Sequence, residues 1–329
     1  MSGICVMLAV VALGAGVARP ARAAAQGGTE ASQTAGAQLT IIDTDIGDDI
    51  DDAFALALAL RSPELRLLGV TTTYGDTELR ARLLDRYLAA VGRGDVPVAA
   101  GPQTPHSNVF TQAAYARREP QRRHADAVGF LLGEIRRHPG QITLIAIGPL
   151  TTVQAAMERD PATFKKLKRV VMMGGSIHRG YDGLHGERRP PEPEWNIDRN
   201  PAGARALLAA GVPVFMMPLD STQIHLEARD REAIFFHGSA LTDQLTLLYH
   251  QWMAGTGDHT PTPTLFDPVA VAYAVRPELC PVTPMRIEVD AKGFTRPVAG
   301  AANAEVCLAS DESGFLKLLL ERVSGNGGR

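Results

Sequence analysis

Apolar residues recur along this chain with two alternating periods. Short runs at residues 39–43, 65–72, 96–99, 142–147, 170–173 and 214–217 are rich in Ile, Val, Leu and Met and read as strands. Between them, residues 53–60, 79–91, 127–137, 152–159 and 202–210 carry helical spacing. In the second of these, Leu83, Leu84, Tyr87 and Leu88 fall on one face. Ser62-Pro63 and His138-Pro139-Gly140 mark helix ends. The alternation predicts an α/β fold, with a mostly parallel, open, Rossmann-like central sheet and helices on both faces. Ligands of such sheets sit outside the carboxyl ends of the strands. Two polar stretches, 103–124 and 178–194, fit neither period, and long loops of this kind often carry function.

The first residues follow another pattern. Residues 4–17 are apolar and uncharged, too short for a bilayer span, and Ala21-Arg22-Ala23 fits a small-x-small cleavage site. Residues 1–23 therefore read as a signal peptide, which implies export to the periplasm or beyond, with no stable membrane span. Residues 24–38 read as a linker and 39–325 as one domain. A 329-residue chain with 45% apolar residues can bury a large core. A net charge of −3 and 5% aromatics leave no footprint for nucleic acid. Cys280 and Cys307 form either a disulfide or a pair of buried thiols; both readings stand.

The chemistry concentrates where the first strand meets the first helix. Asp43, Asp45, Asp48, Asp49, Asp51 and Asp52 lie within ten residues. Like-charge repulsion makes such crowding costly, and a hard cation with oxygen ligands removes the cost. Capping of the helix accounts for one or two acids, not six. A calcium-binding EF-hand loop fails, because positions six and twelve hold Asp48 and Phe54 rather than Gly and Glu. A phosphatase with an Asp43-x-Asp45 nucleophile is the rival at this level.

Further motifs decide between them. Asp43-Thr-Asp-Ile-Gly, Asp51-Asp52-Ala, Gly148-Pro-Leu-Thr151-Thr152, Met172-Met173-Gly174-Gly175, Glu194-Trp195-Asn196 and Phe266-Asp267-Pro268 occur in that order. Together they resemble the inosine–uridine-preferring nucleoside hydrolases over about residues 39–323. The resemblance implies a Ca²⁺ held by Asp45, Asp52, the Thr151 main-chain oxygen and Asp267. It implies that Asp51, Glu194 and Asn196 bind the ribose, that Met173 lines its pocket, and that Asp45 is also the general base. It implies hydrolysis of the N-glycosidic bond of ribonucleosides, and a homodimer or homotetramer.

The pattern also departs from the family. The first motif is two residues longer, so Asp49 competes with Asp51 for the ribose. Asp76 stands where Asn is frequent; it contacts substrate or caps the following helix. Trp195 replaces a Phe. Phe266 replaces the His that serves many members as leaving-group acid; an aromatic there resembles the purine-preferring branch, where stacking assists the departing base, and core packing is the other reading. Tyr249, His250 and Trp252 precede a Gly/Pro/Thr-rich stretch, 255–264, that reads as a lid or as helix-end packing. His124, His178 and His185 read as surface residues. The alternatives are a hydrolase of a different N-riboside and a non-catalytic nucleoside- or sugar-binding protein.

Overall fold

A computed structural model of the chain describes residues 1, 3, 36–183, 186–256 and 262–325. The signal-peptide reading, residues 24–35 of the linker, His185 and residues 257–261 of the suggested lid lie outside the described residues. No helix among the described residues is long and apolar enough to cross a membrane.

The strands are β1 (Gln38–Thr44), β2 (Leu65–Thr72), β3 (Val98–Ala100), β4 (Ala125–Asp126), β5 (Thr143–Ala146), β6 (Arg169–Met173), β7 (Val214–Met217), β8 (Val282–Val289), β9 (Thr295–Val298) and β10 (Ala304–Cys307). They form one open sheet in the order β4-β3-β2-β1-β5-β6-β7-β10-β8-β9. From β4 across to β10 every neighbouring pair is parallel. β8 and β9 complete the far edge as antiparallel strands.

The short apolar runs work as buried strands because their side chains alternate between two cores. Ile42, Ile145, Val171 and Met173 enter one core; Ile41, Leu144, Val170 and Met172 enter the other. Helices Asp51–Leu60, Thr77–Ala90, Phe266–Val275 and Glu312–Val323 cover the first face. Helices Ala127–Arg137, Thr151–Arg159 and Pro201–Ala209 cover the second. The parallel region therefore matches the sequence expectation. The antiparallel edge was not foreseen, since the edge strand β9 is largely exposed, β8 is only partly buried, and they carry Pro297 and Pro284.

Strand order places the chemistry. From β1 the chain first builds outward through β2, β3 and β4, then returns to the other side of β1 with β5, β6 and β7. The crevice at this reversal lies outside the carboxyl ends of β1 and β5. β1 runs directly into the acidic turn, and β5 into Gly148. A Cβ at Gly148 would stand 2.7 Å from Asp45 Oδ1 and 2.9 Å from its backbone nitrogen, so only glycine admits the close approach.

Two helices that are buried almost all round pack against each other, Asp51–Leu60 and Phe266–Val275. Each opens with acids in its first turn, Asp51 and Asp52 in one and Asp267 in the other. Their pairing brings together two positive helix ends.

Cys280 and Cys307 form a disulfide that ties the turn before β8 to the end of β10, across 27 residues. Closing a loop of this size restricts the unfolded chain by about 3 kcal/mol. The Cys280→Ser/Cys307→Ser double variant should lose roughly that much stability against the oxidised parent in urea unfolding. An unchanged midpoint and slope would contradict the assignment.

Candidate active site

Backbone constraints set the acidic turn before any ligand enters. Gly47 has φ of 123°, and a Cβ there would lie 2.0 Å from the Phe110 ring. Thr44 Oγ1 accepts from Ile46 N at 3.0 Å and donates to Asp52 Oδ1. The stretch 103–124 wraps the turn from outside. Gln112 N donates to Gly47 O at 3.0 Å, Thr111 Oγ1 to Asp48 O at 2.8 Å, and Gln112 Nε2 to Asp49 O at 2.6 Å.

The turn faces a cavity of about 240 Å³ lined by Asp45, Asp48, Asp49, Asp51, Asp52, Asn108, Ile147, Met173, Tyr181, Glu194, Trp195, Asn196, Phe266 and Asp267. Oxygen atoms of Asp51, Asp52 and Asp267 lie within 4.8 Å of one another. Asp267 N donates to Asp51 Oδ2 at 3.1 Å, which locks the two helix starts together. Asp45, Asp51, Asp52 and Asp267 are each no more than 6% exposed.

Burial and mutual repulsion push these acids upward. Asp45 is raised to about 7 by burial, against the opposing pull of Arg80 and a hydrogen bond from the Trp195 side chain. Burial raises Asp49 to about 6, where hydrogen bonds from Ile50 N and the Trp252 side chain oppose it. Asp51, Asp52 and Asp267 sit well above the usual carboxylate range, first through burial and then through neighbouring acids: Asp49 and Asp45 act on Asp51, Asp45 and Asp51 on Asp52, and Asp51 and Asp52 on Asp267. Asp43 lies beneath them; burial raises it to about 7, and its Oδ2 has no hydrogen-bond partner among the described residues.

The opposite wall comes from the stretch after β6. Glu194 caps helix Trp195–Arg199, accepting from Asn196 N at 2.9 Å and Ile197 N at 3.2 Å, and it accepts from Gly175 N at 2.9 Å. Burial still raises it to about 7. Asn196 Nδ2 donates to Met173 O at 3.2 Å, and Asn196 lines the cavity. Tyr181 accepts from Trp195 N at 2.9 Å and meets Phe266 edge to face at 5.9 Å between centroids.

The structure thus gathers Asp45, Asp51, Asp52, Met173, Glu194, Trp195, Asn196, Phe266 and Asp267 around one cavity. Asp76 is not among its lining residues. Its carboxylate accepts from Leu79 N at 3.0 Å as a helix N-cap, the second of its two expected roles. Thr151 opens helix Thr151–Arg159 next to the cavity-lining Ile147 and is itself absent from the lining. His124 is not a surface residue: it is buried, 2.6 Å from Glu78 and 2.9 Å from Asp85, fastening its loop to helix Thr77–Ala90. His178 is exposed. Tyr249 and Trp252 are buried in helix Ala240–Thr256, where the Tyr249 ring packs against Phe235 and Trp252, and His250 is exposed.

Arg80, Asn108 and Tyr181 were not singled out from the sequence. Arg80 had a legible signal, since a cation shares the helix face of Leu83, Leu84 and Tyr87. Asn108 and Tyr181 lie in the two long loops, where no periodicity ranks one residue above another.

The donor set suits a hard divalent cation. Its converging atoms are carboxylate oxygens, none is sulfur or imidazole nitrogen, and the buried acids lack enough positive partners of their own.

Comparison with known proteins agrees with this geometry. The family model described as inosine-uridine preferring nucleoside hydrolase matches residues 40–317. A pyrimidine-specific ribonucleoside hydrolase, RihA, from Citrobacter koseri is 31% identical over 317 residues, covering 86% of this chain and 97% of the relative. A plant nucleoside hydrolase, PpNRh1, superposes with a TM-score of 0.76 at 26% identity, over 87% of this chain and 99% of that one. A purine-preferring ribonucleoside hydrolase from Gardnerella vaginalis gives 0.73 at 26% identity, over 88% and 98%. With the acids, the Glu-Trp-Asn wall and the parallel sheet in the places the motifs require, the chain belongs to the inosine–uridine preferring nucleoside hydrolase family, and it is a hydrolase of ribonucleosides.

Proposed function

We propose that this enzyme is an exported, Ca²⁺-dependent ribonucleoside hydrolase with a preference for purine bases, working as a homodimer or homotetramer. The observation that carries the reading is the convergence of the buried Asp45, Asp51, Asp52 and Asp267 with Glu194 and Asn196 on one cavity. Asp45, Asp52 and Asp267 would hold the cation, with Asp51 beside them; the resemblance adds the Thr151 main-chain oxygen. Bound there, Ca²⁺ supplies charge neutralisation and a fixed positive site for orienting water and ribose hydroxyls.

The chain's own groups do the rest. The C1′–N bond breaks with its electron pair leaving on the base, and positive charge builds on the ribosyl carbon and ring oxygen. The buried carboxylates stabilise that charge in a water-poor site. Asp45 takes the proton of the attacking water as general base. Asp51, Glu194 and Asn196 hold the ribose, with Met173 beneath. Phe266 and Tyr181 flank the base, and stacking of this kind contributes about 1–3 kcal/mol per base. That aromatic pair supports the purine preference. The disulfide and the apolar leader both support export.

A panel of inosine, adenosine, guanosine, uridine and cytidine, assayed for reducing sugar, should show turnover that a chelator abolishes and Ca²⁺ restores, fastest with the purines. Full activity after thorough metal removal would refute the dependence, and faster pyrimidine cleavage the preference. Asp45→Asn should lower kcat by roughly 10²–10⁴-fold; an unchanged kcat would remove Asp45 from the role of base.

Stability supplies a test with no substrate. In the metal-free protein Asp45 titrates near 7 against 3.8 unfolded, so the folded state holds more protons between those values. Stability must then fall as pH rises from about 4 to about 7. The rise in Tm on adding Ca²⁺ should accordingly be larger at pH 8 than at pH 5. An equal or smaller rise at pH 8 would contradict it.

A further inference from the structure

We propose that Arg80 is a positioning residue, a resident cation whose guanidinium sets the backbone of the acidic turn and thereby the place of Asp45. The inference rests on the role given to Asp45 above. Arg80 is fully buried, and its donors fan out to groups from both sides of the site. Nε donates to Tyr74 O at 2.8 Å. Nη1 donates to Asp45 O, to Ile46 O at 3.0 Å and to Asp48 Oδ1 at 3.1 Å. Nη2 donates to Asp48 Oδ2 at 2.9 Å and lies 3.3 Å from His106 Nε2. The guanidinium carbon sits 5.0 Å from the centre of the Phe110 ring, the ring that also closes on Gly47.

Two consequences follow from these contacts. Asp48 has both oxygens on Arg80 and a further hydrogen bond with His106 Nε2 at 2.8 Å, so it is withdrawn from the acids proposed to hold the cation, Asp45, Asp52 and Asp267, and from Asp51 beside them. Tyr74 has φ of 59°, the sole positive value at a non-glycine among the described residues. A backbone held there needs surroundings that enforce it, and Arg80 grips its carbonyl. The Tyr74 ring meets Trp195 edge to face at 6.1 Å, and Trp195 lines the same cavity as Asp45. One guanidinium therefore fixes Asp45 through its own carbonyl and, through Tyr74, braces the Trp195 wall of the same cavity. A lysine keeps the charge but has no planar fork with which to reach these acceptors together.

Position and charge predict opposite signs. A residue that only balances charge repels the incoming cation, so its loss would tighten Ca²⁺ binding. A residue that sets geometry makes binding weaker when it is lost. Arg80→Lys and Arg80→Gln, each checked for cooperative melting, are compared with the parent by Ca²⁺ calorimetry and by kcat and KM at saturating Ca²⁺. Both variants should bind Ca²⁺ about 10–100-fold more weakly. Both should lose on the order of 10²-fold in kcat, with a far smaller change in KM. Parent-like affinity and kcat in Arg80→Lys, or tighter Ca²⁺ binding in Arg80→Gln, would overturn the proposal. If neither variant folds, Asp48→Asn, which keeps the cation and loosens its clamp, should cost about tenfold in kcat at saturating Ca²⁺, and a parent-like kcat would overturn it. Absence of nucleoside turnover in the parent would instead refute the proposed function, and the calorimetric comparison would still decide the role of Arg80.

Discussion

Everything at this site follows from the cost of burying carboxylates side by side. Asp43, Asp45, Asp51, Asp52 and Asp267 all lie almost out of water, and each is pushed toward its neutral form. A fold does not keep such a group unless something offsets it. Three offsets are visible. Two helix starts present their positive ends, Arg80 neutralises Asp48, and main-chain or hydroxyl donors reach Asp51 and Asp52. They leave the inner acids short of positive charge, and that shortage is what a divalent cation and an oxocarbenium-like transition state both satisfy.

The fold serves this arrangement by geometry. β1 is central, the strand order reverses beside it, and the acidic turn leaves its carboxyl end. Helix Asp51–Leu60 is buried so completely that its first turn cannot swing away. Its packing on helix Phe266–Val275 brings Asp267 to Asp51 across 216 residues of sequence. The loop at 103–124 closes the outside of the turn, anchored at its far end by the buried His124. Rigid elements thus hold the acids, and loops supply Asn108 and Tyr181.

Much of this was legible in the sequence for a physical reason. Strands of a parallel sheet are buried on both faces, so Leu65–Thr72 and Val214–Met217 announce themselves as apolar runs. The acids announce themselves because nothing but a ligand excuses their crowding. Edge strands such as β9 bury little and leave no such trace. The fate of Asp76 was ambiguous, since a cap and a ligand contact ask for the same side chain; the structure makes it a cap. Arg80 escaped because a lone arginine in a helix usually faces water, and its partners come from turns 34 and 35 residues earlier in the chain. Long-range pairing of that sort is a property of the fold and not of any local pattern.

The buried carboxylates of Asp45, Asp52 and Asp267 are expected to bind one divalent cation. Calorimetric titration of the metal-stripped protein with Ca²⁺ tests it directly. One saturable site per chain is expected, with protons released on binding because the raised acids must ionise, and that site should be lost when Asp52 and Asp267 are both replaced by Asn. No saturable binding, or binding that survives both replacements, would contradict it.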